Sequence, residues 1–276
     1  MSDARTPVEP RFHVIYRACD AVLAVNKGSR PWDLDKRTLI KICFRSLFEA
    51  LRPVKHRITV LGDKISPELT AFFEAHGVEL IHGDFGNDGS IRQTFKLAER
   101  VPEDEWIYFC EDDYLHVPHA FEYIRDFIIN RRLSMQYKPR LHSFASLIDP
   151  GRADLVIFPP DYPDRYLGKY RRFSLVFHAG RSHWRQVTDT TFTFLLEGRT
   201  FRKHRRILEK SSVGANDRYL SRSLYGRHHF LNKALCVSPM PALSTHMHSN
   251  VMSPLVDWRP LVERYRALCE HDGVPQ

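Results

Sequence analysis

The chain predicts an α/β fold, with a Rossmann-like, mostly parallel central sheet and helices on both faces. Two observations lead there. Over the first 130 residues, short apolar runs alternate with segments of helical periodicity, the signature of right-handed crossovers between parallel strands. The run Trp106-Ile107-Tyr108-Phe109-Cys110 then passes directly into Glu111-Asp112-Asp113. The carboxyl end of such a strand is where an open α/β sheet places its ligand crevice. With 276 residues, 43% hydrophobic and 12% aromatic, the chain can bury the core of one larger domain.

The elements follow in order. Residues 1–10 are polar, carry two prolines and read as a flexible tail. Phe12 to Arg17 is a first strand, followed by a loop containing Asn26, Gly28 and Pro31. From Asp35 to Leu51 the apolar side chains Leu39, Ile40, Cys43, Phe44, Leu47, Phe48 and Leu51 recur at helical spacing, and Pro53 ends that helix. Arg57 to Leu61 is a second strand. Ser66-Pro67-Glu68 offers an N-cap and a first-turn proline to a second helix, which runs to His76-Gly77. Val78 to Ile81 is a third strand. The glycine-rich turn Gly83 to Ser90 follows, with Ser90 placed to cap a helix over Ile91 to Arg100. The fourth strand is the one that ends in the acids.

Beyond them, a helix from Val117-Pro118-His119 reaches Ile129 and closes on Arg131-Arg132. Leu155 to Phe158 is a strand leading to the loop Asp161 to Tyr166, and Arg171 to Phe177 is an outer strand. Phe192 to Glu197 and the basic run Arg202 to Arg206 bracket a helix. Gly214-Ala215-Asn216-Asp217 starts another, with Asp217 in its first turn. Ala234 to Val237 precedes two prolines and the segment Leu243 to Ser249, which holds His246 and His248. The layout divides into a nucleotide-binding half at about 11–130, an acceptor-binding half at about 131–255 and a C-terminal helix at about 256–270.

Composition narrows the partners. A formal charge of +8 and a pI near 9.3 favour an acidic partner: a nucleotide, a nucleic acid or an anionic membrane surface. No stretch has the roughly 20 apolar residues of a membrane span, and the first ten residues lack the apolar core of a secretory signal. The five scattered cysteines fit free thiols in a reducing cytoplasm.

Three adjacent carboxylates repel one another, and folding alone does not gather them. Hard divalent cations do, because they prefer carboxylate oxygens and accept substrate phosphates into the same shell. An acidic turn after a core strand accounts for the same pattern without a metal. The turn before the third helix suits an anion, since free amides and the helix dipole converge there. It lacks the Gly-Lys-Ser/Thr of a P-loop and the spacing of a dinucleotide fingerprint.

Taken together, the strand–helix alternation, the acidic Glu111-Asp112-Asp113 and the late pairing of Asn216-Asp217 with His246 and His248 resemble a nucleotide-sugar-dependent glycosyltransferase of the GT-A fold. The motif departs from that fold's DXD pattern in being Glu-Asp-Asp. The resemblance implies Mn2+ or Mg2+, with Asp113 as the main ligand, Glu111 binding the metal directly or through water or else contacting the donor ribose, and His246 or His248 completing the shell. It implies a nucleotide-diphosphate sugar donor contacted by Arg17, Asp63, Asn87, Ser90 and Asp112. Asp217 becomes the general base of an inverting reaction, and the acceptor a saccharide or lipid-linked glycan. A cytoplasmic enzyme, in peripheral contact with an anionic inner membrane face, fits the charge. Two rivals remain. A nucleotidyltransferase or other phosphoryl-transfer enzyme could use the same acids, with Lys27 and Arg30 near Gly28 gripping a triphosphate. A nucleic-acid-binding protein fits the charge, but the basic residues are spread widely and no binding motif is present, so nucleic acid is not the expected partner.

Overall fold

The computed structural model describes residues 9–20, 29–131, 153–167, 174–225 and 233–271. Asn26, Lys27, Gly28, Arg132, most of the N-terminal tail and residues 171–173 of the expected outer strand lie outside them. The described chain forms β1 (Arg11–Ala18), α1 (Lys36–Leu51), β2 (Lys55–Asp63), α2 (Pro67–Ala75), β3 (Glu79–Gly83), α3 (Gly86–Ala98), β4 (Trp106–Glu111), β5 (Tyr114–His116) and α4 (Ala120–Asn130). It continues with β6 (Leu155–Ile157), β7 (Val176–Ala179), β8 (Ser182–Val187), β9 (Phe194–Glu197), α5 (Gly198–Ser211), α6 (Asp217–Leu224), β10 (Leu235–Met240), β11 (Ser244–His246) and α7 (Arg259–His271).

Nine strands of the described chain make one sheet in the order β3-β2-β1-β4-β9-β6-β10-β8-β7. The first four are mutually parallel, as the alternation of the sequence predicts. Strand β9 runs against both β4 and β6, and β8 against both β10 and β7, so seven of the nine described strands share one direction. The segment ending at Glu197 is therefore a central strand where the sequence suggested a helix. Its four residues are buried or nearly so on both faces, and such a run carries no period to separate strand from helix.

Alternation along β1 sorts the core. Phe12, Val14 and Tyr16 face a cluster that includes α1, α2, α4 and α7, while Ile15 faces α3, α5 and α6 on the other side. Helices thus cover both faces, which suits parallel strands that bury both their sides. Asp35 caps α1 by accepting from the amides of Arg37 and Thr38, and Ser66 caps α2 through Leu69. Helix α3 differs from expectation. It starts at Gly86, whose φ of 65° a glycine adopts without strain, so the glycine-rich stretch is itself the first turn. Ser90 lies inside the helix, its hydroxyl turned back to the carbonyl of Asn87 at 2.8 Å. All five cysteines are free thiols. Among the described residues no helix is long and apolar enough to cross a membrane.

Candidate active site

Parallel pairing brings the ends of β1, β2 and β4 together. Arg17 sits in register with Leu61 on one side and Glu111 on the other. Its guanidinium donates to Glu111 Oε1 at 2.6 Å, Asn87 Oδ1 at 2.8 Å and Ser90 Oγ at 3.0 Å. One side chain therefore ties β4 to the first turns of α3. Thr193 completes the cradle, accepting from the amide of Glu111 at 3.1 Å and donating to Oε2 at 3.3 Å. Burial pushes the Glu111 carboxyl up, with Arg17 opposing.

Asp112 accepts from the amide of Cys19 at 2.9 Å and from the ammonium of Lys36 at 2.6 Å. Burial disfavours the Lys36 charge, but the carboxylates of Asp112 and Asp113 prevail and raise its pKa. Asp63 is buried and accepts from the amide of Phe85 at 2.7 Å, which fixes the turn into α3.

Asp113 is reached from the far end of the chain. Strand β11 pairs with β5 so that His246 lies opposite Tyr114, and the amide of Met247 donates to the Asp113 carbonyl at 2.8 Å. The His246 ring stacks on Tyr114 with centroids 4.9 Å apart, and its Nε2 lies 3.0 Å from Asp113 Oδ2. Burial alone would raise the Asp113 carboxyl. His246, helped by Lys36 and Arg17, outweighs it and holds Asp113 well below the usual carboxylate range. Burial likewise works against a charged His246 ring, and Asp113 overcomes it, so the His246 pKa is raised. The Tyr162 hydroxyl reaches Tyr114 at 2.7 Å and His246 Nδ1 at 3.5 Å.

All ten residues singled out in the sequence, Arg17, Asp63, Asn87, Ser90, Glu111, Asp112, Asp113, Asp217, His246 and His248, line one cleft of about 570 Å³. Asp217 stands on its rim as the first residue of α6, beside the cap that Asn216 provides to the amide of Tyr219 at 2.9 Å. The wall around the Asp217 carboxyl partly desolvates it and raises its pKa, and the nearby Asp189 carboxylate adds to the effect. Sequence reasoning missed Lys36, Lys64, Thr191 and Phe192, which line the same cleft. Lys36 left a signal: a cation in the first turn of a helix stands against the helix dipole and calls for a local acid. Arg30 lines the cleft as well.

Whether the donor set suits a divalent ion turns on Asp113. Among the described residues no three His, Cys, Asp or Glu side chains form a ready metal cage. Yet Asp113 Oδ1 is buried without a hydrogen-bond partner, while Oδ2 of the same carboxylate meets His246 and its charge is felt by Glu111. Mg2+ takes one or two protein ligands and completes its shell with substrate phosphates and water, so a partial site of this kind fits it.

No family model and no curated protein matches the chain. Among solved structures, the chain is similar to the galactosyltransferase LgtC in complex with donor and acceptor sugar analogs, at 11% identity and a TM-score of 0.45, covering 96% of this chain and 97% of that one. It is also similar to the glycosyltransferase GlyE of Streptococcus pneumoniae, at 10% identity and a TM-score of 0.44, covering 94% of this chain and 64% of that one. The 4-diphosphocytidyl-2C-methyl-D-erythritol synthase of Anaerococcus prevotii matches at 9% identity and a TM-score of 0.41, covering 96% and 98%. Similarity this loose extends to glycosyl and cytidylyl transfer alike, so the functional reading rests on the cleft itself.

Proposed function

We propose that the chain is a metal-dependent glycosyltransferase, moving a sugar from a nucleotide-diphosphate donor to a saccharide or lipid-linked glycan acceptor. The observation that supports it most is the unpartnered, buried Oδ1 of Asp113 in a cleft shared by acids and by Arg17, Lys36 and His246. A metal-free structural turn leaves that oxygen unexplained, because a buried acceptor without a partner costs about 1–3 kcal/mol.

On this reading Asp113 and His246 would hold the ion, with His248 and Glu111 as further candidate ligands. The ion, Mn2+ or Mg2+, supplies Lewis-acid stabilisation of charge on the departing diphosphate. Arg17 and Lys36 add fixed positive charge to the same place. Arg17 and Asp63 at the strand ends, with Asn87 and Ser90 in the first turns of α3, bound the nucleotide pocket, and Asp112 holds Lys36 in position. Asp217 accepts the proton of the acceptor hydroxyl. Its raised pKa suits that task, since a base works best when its pKa approaches the working pH. Attack opposite the leaving group then inverts the anomeric centre.

Nucleotidyl transfer is the second reading, favoured by Arg30, Lys36 and Lys64 around the cleft, a set able to grip a triphosphate. A thermal-shift screen of nucleoside triphosphates, diphosphates and sugar nucleotides, with and without Mn2+, separates the two. Stabilisation by one sugar-nucleotide class, dependent on metal and lost in Asp113→Ala, is expected. Preference for a triphosphate, with pyrophosphate released on turnover, replaces the transferase with its rival.

A further inference from the structure

The two helical layers differ in charge. Helices α3, α5 and α6 carry ten Lys and Arg against three Asp and Glu. Helices α1, α2, α4 and α7, on the other face of the sheet, carry eight against seven. Helix α5 alone holds six basic residues and one acid. Its buried side chains Phe201, His204 and Leu208 face the core, and Arg202, Lys203, Arg205, Arg206 and Lys210 are exposed. Part of that charge is answered within the chain: Lys203 pairs with Asp154 at 2.6 Å, and Arg205 with Glu99 and Glu209 at 2.7 Å each.

Arg199 likewise pairs with Glu197 at 2.9 Å and Arg202 with Glu103 at 4.0 Å, which leaves Arg206 and Lys210 of this helix unanswered among the described residues. Arg92, Lys96 and Arg100 follow at four-residue steps along α3 and past its end, so they share one exposed stripe. Together with Arg206, Lys210 and Arg222 they have no acidic partner among the described residues. Opposite-signed neighbours would stabilise each of them, so a face left with six unanswered cations is suited to an anion from outside.

We propose that the α3–α5–α6 face is a docking surface for an anionic lipid bilayer. Charge complementarity carries the assignment, and two further features favour lipid over nucleic acid. The α5–α6 turn presents Val213 at 66% exposure, an apolar side chain beside the basic helix that can enter the headgroup region. The exposed large aromatics of the described chain, Trp32 and Tyr166, belong to none of these three helices, and the half-buried Tyr219 of α6 is a single ring, so the face lacks the row of exposed rings on which successive bases stack. Docking there also turns the cleft rim at Gly214, Ala215 and Asp217 toward the membrane. The surface itself does not depend on the transferase reading; only the value of that orientation to a lipid-linked acceptor does.

The experiment is co-sedimentation of the full chain with vesicles of phosphatidylcholine alone or with phosphatidylglycerol, which needs no turnover. Binding to the anionic vesicles only, weakened by salt, is expected. Arg206→Glu/Lys210→Glu/Arg222→Glu lowers partitioning on the order of 100-fold, since each basic residue near such a surface contributes roughly fivefold. Arg264→Glu/Arg266→Glu on α7 leaves it unchanged. A circular-dichroism melt of the triple variant that matches wild type shows it folded, whatever the outcome of the donor screen, so this test and that of the function fail separately. Equal binding by the triple variant and wild type overturns the proposal. So does tighter, reversal-sensitive binding to an oligonucleotide that displaces the vesicles, which makes the face a nucleic-acid surface instead.

Discussion

Removing the Arg17 guanidinium tests the architecture of the cleft without reference to any ligand. Arg17→Met keeps the aliphatic stem and deletes an ion pair and two hydrogen bonds to neutral acceptors at once. Breaking a fully buried pair costs about 3–5 kcal/mol, because one charge is left without compensation. Here the side chains of Arg17 and Glu111 keep 16% and 26% of their exposure, so solvent recovers part of the loss and about 2–3 kcal/mol is expected. The sign of the pH dependence follows from Glu111. Burial already raises its carboxyl above 4.5 in the folded chain, and Arg17 is what opposes that rise. Without Arg17 the folded value moves further up. The penalty is then absent below the unfolded pKa and grows as pH rises through the folded one. Urea unfolding at pH 8 and pH 5 should therefore show a deficit that shrinks at the lower pH. Arg17→Lys should fall between, retaining charge but losing the fork. Arg17→Met/Glu111→Gln should recover much of the loss at pH 8. A deficit equal at both pH values, or none at pH 8, refutes the reasoning.

Three other expectations follow from the same structure. Asp217→Asn should lower kcat about 10²- to 10⁴-fold while leaving donor affinity as it was, and steady-state kinetics with near-normal kcat would remove Asp217 from the role of base. His116 is fully buried, accepts or donates to the Tyr108 hydroxyl at 2.8 Å, and has its pKa pushed down to about 3 by burial. A depressed value means that its contribution is complete above 6.5 and is lost as pH falls toward 3; His116→Gln should move the circular-dichroism acid transition to lower pH, and an unmoved transition counts against it. Gly198→Ala improves helix propensity by about 1 kcal/mol but places a methyl 2.2 Å from the Pro102 carbonyl oxygen, and overpacking of about 1–3 kcal/mol should win, so a raised Tm would contradict the packing described.

The parallel half of the sheet was legible because each of its strands is a short apolar run and each crossover an amphipathic helix closed by a cap or a proline. The second half was not. Strand β9 is an apolar run that abuts a helix, and nothing in its spacing says it runs antiparallel between β4 and β6. Ser90 was misplaced as a cap because glycine is a poor helix former, so Gly86 to Gly89 read as a turn, whereas Gly86 opens the helix. In the cleft, the acids stood out because local sequence alone makes their crowding costly. Their partners did not. That Arg17 abuts Glu111 is a matter of strand register, and that Lys36 reaches Asp112 depends on the angle at which α1 leaves the sheet.

Those partners change what the acidic cluster means. Each acid has its own basic partner, Glu111 with Arg17, Asp112 with Lys36 and Asp113 with His246, at 2.6, 2.6 and 3.0 Å. The mutual repulsion of three carboxylates is thereby relieved within the fold. A cluster so compensated is a weak trap for a bare metal. A cation arriving with a diphosphate is different, since it brings its own oxygen ligands and needs from the protein only the orphaned Asp113 oxygen and an imidazole. On the proposed reading, metal and donor affinity are therefore coupled through the phosphates, each strengthening the other by the same factor.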